Sequence, residues 1–177
     1  MKAMMRLLAC ALLCLALTPA AAEDAVFALV PAPMPAEAEA QELALYCGPT
    51  QGFYRHAGQT LDTGAPYVVF GQYDCWAMAA QGTAEDFGSV GWVEAGFLPG
   101  LESAAALGFD DSFAAMLEQD APVTDDPLAD DPFAHWDAVL PCGTQVIVLA
   151  QLDGWLYVQT ELEGVPARVF IAAETVF

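Results

Sequence analysis

One stretch of the chain is repeated 79 residues later, and this repeat restricts the fold more than any other sequence feature. When Leu61–Trp76 is placed on Leu140–Trp155, six residues are identical, namely those at 61/140, 64/143, 69/148, 72/151, 74/153 and 76/155. Several identities at one fixed offset are typical of a duplicated structural unit. The sequence therefore predicts two copies of one unit of about 60 residues.

The local pattern within each copy is that of short strands. Tyr67–Phe70 and Val146–Leu149 are runs of β-branched and aromatic residues, which favour β-strands. Each run is followed by a polar turn and by a second apolar stretch that opens on a tryptophan, and Asp153-Gly154 is a strong hairpin signal. The moderately helical stretch 112–119 is expected to enter the first strand of the second copy. The fold class predicted is all-β, with two small barrels.

The order of motifs resembles the bacterial SH3-like domain family. In the first copy the motifs are Gly48-Pro49-Thr50, Leu61 ahead of Gly64, Asp74 ahead of Trp76, and Gly91-Trp92-Val93 followed by Leu98. The second copy has 124–128 and 168–171 at the matching places, with Val169 where a glycine usually precedes the aromatic residue. The resemblance covers residues 43–177 and is to tandem SH3-like domains in exported proteins of clostridial type. It implies two SH3-like β-barrels.

The segments outside the two copies predict an exported protein. Lys2 and Arg6 precede the apolar run Leu7–Leu17 and a stretch of small residues, which is typical of a signal peptide over 1–22. A lipoprotein cleavage box ending at Cys10 is a less favoured alternative. We expect a disordered Ala/Pro/Glu spacer at 23–42, barrels at 43–99 and 112–177, and a linker at 100–111. The expected location is secreted or envelope-associated, without membrane insertion.

The charge of the chain narrows the class of partner. All 24 acidic residues follow Ala22, and loss of the signal peptide would leave Arg55 and Arg168 as the only basic residues. Such a chain is repelled by phosphate backbones and anionic lipids, so nucleic acid and membrane surfaces are poor partners. Basic peptides, neutral glycans and divalent cations stay open on charge alone.

No cofactor or metal site is expected from the sequence. The aspartate pairs at 110–111, 125–126 and 130–131 lack the alternating spacing of a calcium loop and are interpreted as solvated charge. His56 and His135 are isolated, and no Cys-x-x-Cys motif occurs. Cys47 and Cys75 are the most plausible disulfide pair, and three small buried thiols, with Cys142, are an equally plausible alternative.

A catalytic role is the least favoured hypothesis for the function of this chain. Cys47-Gly48-Pro49-Thr50 is similar to the nucleophile motif of some papain-like peptidases, with Gln41 upstream and His135 as a candidate base. A papain-type cysteine is activated partly by the N-terminus of a following helix, and the turn-rich sequence after Cys47 does not predict one. We therefore expect no enzyme and no catalytic residues.

The resemblance implies a ligand groove lined by aromatic side chains. The matching positions are Tyr54, Trp76 and Trp92 in the first copy and Phe133, Trp136, Trp155 and Phe170 in the second. Trp76, Trp92, Trp155 and Phe170 are favoured as core, because one large aromatic residue often fills most of a small barrel.

Tyr54, Phe133 and Trp136 lie in polar loop sequence and are the favoured ligand-binding residues, with Trp76 and Trp155 as further candidates. Aromatic faces suit proline-rich peptides or sugar rings, and nearby acids would select a basic group. The expected function is non-catalytic binding of a cell-wall glycan or peptide, or of an exported protein. The alternative is a structural module whose two barrels pack into one unit.

Overall fold

A computed structural model describes residues 26–37, 39–55, 58–134 and 136–176, without the side chain of Ser103. Within these residues the regular structure consists of twelve β-strands and three short 3₁₀ helices. The all-β prediction is confirmed. No helix in this part of the chain is long and apolar enough to cross a membrane. The predicted signal peptide lies outside the described residues.

The first copy forms a four-stranded antiparallel sheet and a small ladder. The sheet has the order β1-β4-β5-β6, with β1 at Ala32–Met34, β4 at Tyr67–Tyr73, β5 at Trp76–Gly82 and β6 at Phe87–Glu94. The ladder pairs β2 (Glu42–Ala44) with β3 (Thr60–Asp62). 3₁₀ helices follow at Ala95–Phe97 and Leu101–Ser103.

The second copy repeats this arrangement strand for strand. Its sheet has the order β12-β11-β10-β7, with β7 at Phe113–Met116, β10 at Gln145–Leu152, β11 at Trp155–Leu162 and β12 at Val165–Ala172. Its ladder pairs β8 (Ala121–Pro122) with β9 (Val139–Leu140), and a 3₁₀ helix lies at Ala173–Thr175. The stretch 112–119 does enter a strand of the second copy, β7, as the sequence predicted.

The structural repeat extends to single hydrogen bonds. Tyr46 and Trp92 exchange two backbone hydrogen bonds of 3.0 and 2.9 Å, and Thr124 and Phe170 exchange two of 3.0 and 2.8 Å. Both pairs fasten the loop after a short strand to the last long strand of the same copy. The backbone therefore retains the duplication at places where the side chains have diverged.

Each copy also sends a segment, here called an arm, to the sheet of the other copy. In the first arm, residues 26–31, Leu29 N–H donates to the Gln151 carbonyl over 2.9 Å and the Phe27 carbonyl accepts from Gln151 over 2.8 Å. In the second arm, residues 105–112, Leu107 N–H donates to the Gln72 carbonyl over 2.7 Å and the Ala105 carbonyl accepts from Gln72 over 2.8 Å. This reciprocal exchange is the pattern of a two-fold interface within one chain.

The arms correct two predicted segments. The prediction of a disordered spacer at 23–42 is wrong for 26–37, because Leu29 is buried and β1 joins the first sheet. Pro33 is accommodated since β1 is an edge strand and needs fewer backbone donors. The predicted linker 100–111 is not a free connection either, because Leu101 and Leu107 are buried and the second arm pairs with Gln72.

A hydrophobic core shared by both copies holds them together. Trp92 from the first copy and Tyr157 and Phe170 from the second are almost completely buried in one cluster. Trp92 Nε1–H donates to the Tyr157 hydroxyl over 2.7 Å, and this bond crosses from one copy to the other. A buried donor that loses its acceptor destabilises the fold by about 1–3 kcal/mol, so this bond fixes how the copies pack.

Candidate functional site

The five predicted ligand-binding residues lie in three separate places rather than in one groove. Ring pairs are formed by Tyr54 with Trp136 at 5.8 Å, by Phe133 with Trp155 at 5.8 Å, and by Trp76 with Tyr46 at 5.6 Å between centroids. Tyr46 was not among the predicted residues. The three places differ in how much of their aromatic surface a ligand could reach.

The Tyr54–Trp136 pair is part of the core. Trp136 is only 7% exposed, and its Nε1–H donates to Asp125 Oδ1 over 2.8 Å in a buried bond. The expectation that Trp136 lies on a polar surface is wrong, because Asp125 satisfies its one polar atom inside the protein. Burial raises the pKa of the half-buried Tyr54, and the charges of Glu163 and Cys47 add to the rise.

The Phe133–Trp155 pair is partly accessible. Phe133 is 36% exposed, and its backbone N–H donates to Asp131 Oδ1 over 3.3 Å in a short turn. Trp155 is half-buried and packs against the shared core. Phe133 is therefore the accessible member of this pair, and neither ring lines the depressions of about 260, 320 and 750 Å³.

The third place is a groove on the first copy. It encloses about 260 Å³ and is lined by Leu43, Ala44, Tyr46, Gln51, Trp76, Val93, Glu94 and Phe97. The rings of Tyr46 and Trp76 meet nearly at right angles, at 83°. Trp76 itself is buried, as favoured from the sequence, so it contributes the floor, whereas Phe97 is 50% exposed and forms a wall.

Apart from the tyrosine hydroxyl, the polar side chains that line this groove are the neutral Gln51 and the acidic Glu94. Glu94 Oε1 accepts a hydrogen bond of 3.2 Å from Gln51 Nε2 at its rim. Phe97 also lines an adjoining depression of about 320 Å³ that contains Glu37 and Glu39. The guanidinium of exposed Arg55 lies 5.7 Å from the centre of the Tyr46 ring. The groove thus combines aromatic faces with carboxylates, which is the chemistry that receives cations.

Sequence reasoning missed Tyr46, Glu94 and Phe97. A weak signal for Phe97 was present, since a bulky aromatic residue stands between Gly96 and Leu98 beyond the last strand of the copy. Tyr46 and Glu94 gave no such signal. Their place in the groove depends on the pairing of Tyr46 with Trp92, which a single sequence does not reveal.

The cysteines do not follow either predicted arrangement. Cys75 lies at the β4–β5 turn and Cys142 ahead of β10, and both are free and exposed, so the Cys47–Cys75 disulfide is not formed. Cys47 is buried, and it packs in the core cluster formed mainly by residues of the second copy. Three buried thiols are therefore also excluded.

The geometry around Cys47 lacks one element of a papain-type site. Residues 48–53 form turns and bends, and no helix begins in the described segment 48–55 directly after Cys47. His56 and His135 lie outside the described residues. Within those residues no group of three or more His, Cys, Asp or Glu side chains is arranged to hold a metal ion.

Comparisons with known proteins give no further guide to the site. No protein-family model, no curated protein and no solved structure matches the chain.

Proposed function

We propose that the chain is a non-catalytic binding protein whose first copy binds an extended peptide that carries a basic residue. The observation that carries this proposal is the groove whose lining combines the rings of Tyr46, Trp76 and the exposed Phe97 with the carboxylate of Glu94. Aromatic faces and a carboxylate together attract a cation more strongly than either group does alone.

The size and charge of the groove favour this ligand class. A space of about 260 Å³ holds one or two side chains but not a large cofactor. The neighbouring depression with Glu37 and Glu39 would extend the same acidic track for a longer peptide. The formal net charge of −20 would attract basic partners and repel anionic ones.

We also propose that this binding takes place at the cell envelope or outside the cell. The proposal rests on the predicted signal peptide and on the resemblance to bacterial SH3-like domains. Amine-bearing peptides of the cell wall and basic segments of exported proteins share the chemistry that the groove would recognise. Purified cell walls and a soluble peptide are therefore separate arms of the test.

The test uses the chain from Glu23, which keeps every residue that the structure describes. Binding of a capped lysine-containing peptide and of purified cell walls is measured for this chain and for Phe97→Ala and Glu94→Gln. Each variant is expected to weaken binding about three- to tenfold, since each removes one partly exposed contact. Higher salt is expected to weaken binding further.

Met116→Ala is the matched control, because Met116 is an exposed apolar residue on the other copy, 63% accessible. It should leave binding unchanged. If Phe97→Ala and Met116→Ala bind both ligands equally well, the aromatic groove is not the ligand site. If the peptide binds and the walls do not, the ligand is a protein segment.

A structural module is a second candidate because of one contact. The Trp92–Tyr157 hydrogen bond joins the two copies through a buried core rather than leaving two independent sites on a flexible linker. A chain whose only role is structural would bind neither ligand in the test above.

A further inference from the structure

A guanidinium already occupies one of two equivalent places between the copies. Arg168 of the second copy lies 5.2–5.7 Å from the ring centres of Phe53, Tyr73, Trp92 and Phe109. Its Nε–H donates to Gln159 Oε1 over 3.1 Å. We call this the filled site.

The filled site holds its cation without an opposite charge. No carboxylate among the described residues pairs with Arg168, and its buried Nη1 has no hydrogen-bond partner among them. Burial lowers the pKa of the Arg168 guanidinium, while Tyr157 and Tyr73 act in the opposite direction. Aromatic faces therefore provide most of the stabilisation of this charge.

The two-fold relation of the copies creates a second place of the same kind. Arg168 N–H donates to the Cys47 carbonyl over 2.6 Å, and at the equivalent position Val90 N–H donates to the Asp125 carbonyl over 2.7 Å. Tyr73, at the end of β4, corresponds to Leu152 at the end of β10. Valine and leucine thus replace arginine and tyrosine, so this place contains no cation of its own.

A groove of about 750 Å³, which we call the open site, adjoins this second place. Leu152, the counterpart of Tyr73, lines it, whereas the side chain of Val90 is buried and does not. The walls of the groove include Val30, Phe87, Leu128 and Leu152, and its rim carries the exposed carboxylates Glu85 and Asp153.

A difference in arm length explains why one site is covered and the other is not. Between Leu107 and β7 the second arm has five residues, 108–112, and it places Phe109 over Arg168. Between Leu29 and β1 the first arm has only Val30 and Pro31. Val30 is 69% exposed, so the shorter arm leaves the open site uncovered.

We infer that the open site binds an arginine or lysine side chain of a partner protein, as the filled site holds Arg168. The apolar stem of such a side chain would pack along Val30, Phe87 and Leu152. Its charged end would meet Glu85 and Asp153 at the rim, where the carboxylates replace the rings of the filled site. This surface is distinct from the aromatic groove around Tyr46.

The test follows amide chemical shifts by NMR in the chain from Glu23 carrying Phe97→Ala, so that the aromatic groove does not contribute. The probe is a short capped glycine–serine peptide with one central arginine, and the reference probe has neutral citrulline in its place. The arginine peptide is expected to shift the amides of Val30, Phe87 and Leu152. The citrulline peptide is expected to bind about fivefold more weakly or not at all.

A double variant and a matched control locate the charge. Glu85→Gln with Asp153→Asn removes both carboxylates of the open site, and asparagine tolerates the left-handed backbone of residue 153, where φ is 42°. Asp74→Asn with Glu163→Gln removes the same charges from turns with φ of 55° and 54° on the filled side. Only the first pair should weaken binding of the arginine peptide, by about fivefold or more.

Three results would overturn the inference. These are equal binding of the two peptides, equal loss in the two double variants, and shifts that are absent at millimolar peptide or lie away from the open site. None of them depends on the aromatic groove, so failure of one proposal leaves the other standing.

Discussion

The filled and the open site are two versions of one interface that differ in what covers them. In the filled site the longer second arm places Phe109 against Arg168, and four rings surround the guanidinium. On the open side the shorter first arm carries exposed Val30, and the position of the arginine is taken by the buried Val90. One half of the duplicated interface thus encloses a cation, and the other half leaves a groove accessible beside the first arm.

Binding at the open site, as proposed, would separate stability from recognition within one duplicated unit. The backbone hydrogen bonds of Arg168 and Val90 are the same, so the packing of the copies does not require the arginine at both places. The longer second arm places Phe109 over Arg168, whereas the shorter first arm leaves Val30 exposed to solvent.

Replacing Arg168 in the filled site should lower the free energy of unfolding more than truncating its counterpart Val90 does. Arg168→Ala deletes the ring contacts and leaves a cavity between the copies, and we expect the free energy of unfolding to fall by about 3 kcal/mol. Val90→Ala removes two methyl groups and should cost about 1.5 kcal/mol. Urea denaturation of both variants measures the difference.

Arg168→Met separates charge from packing, because methionine replaces most of the apolar stem. It should recover part of the loss but remain less stable than the natural chain. If Arg168→Met is as stable as the natural chain, the rings contribute packing alone and the filled site has no preference for a cation.

The hydrogen bond between the copies should have the next largest effect. Tyr157→Phe leaves the buried Trp92 Nε1–H without its acceptor, and we expect a loss of about 2 kcal/mol at neutral pH. Phe170→Leu, a change at the neighbouring ring that leaves this bond in place, is the packing control.

The same tyrosine makes stability depend on alkaline pH. Burial raises the pKa of Tyr157 above its ordinary value of 10. The unfolded chain therefore loses the phenolic proton at a pH where the folded chain retains it, and stability falls as the pH rises above about 10. Tyr157→Phe should reduce this fall by up to about 1.4 kcal/mol per pH unit. An unchanged slope would mean that Tyr157 does not control the alkaline transition.

Part of this architecture could be predicted from the sequence, and the reason is local. The β-branched runs at 67–70 and 146–149, with a turn and a tryptophan after each, determine hairpins by short-range patterns. The duplication itself was visible because six identities stand at one offset. The buried state of Trp92 and Phe170 followed from the size of the units, since a small unit has few large residues with which to fill its core.

The arms and the aromatic groove could not be predicted, since both depend on pairing between distant segments. Residues 26–31 stand in a longer stretch, 23–42, that is rich in alanine, proline and glutamate and has little periodicity, so its composition suggests disorder. They are ordered by Gln151, more than a hundred residues away along the chain. The burial of Trp136 could not be predicted for a similar reason. Its hydrogen-bond partner Asp125 is also buried, so a loop of polar sequence forms part of the core.

The smallest predicted effect is a direct comparison of the two arms. Phe109→Ala removes the cover of the filled site and its contact with Arg168, and we expect it to destabilise the fold by about 1.5 kcal/mol. Val30→Ala alters the corresponding segment of the first arm, but Val30 is mostly exposed, so its cost should stay within about 0.5 kcal/mol. Urea denaturation measures both.

The two variants also differ in what they should do to binding. Val30→Ala removes a wall of the open site and should weaken the arginine peptide without affecting stability, whereas Phe109→Ala should affect stability without weakening the peptide. Equal stability costs would show that both arms stabilise the fold to the same degree. The division between a structural site and an accessible one would then be wrong, because it requires Val30 to contribute less to stability than Phe109 does.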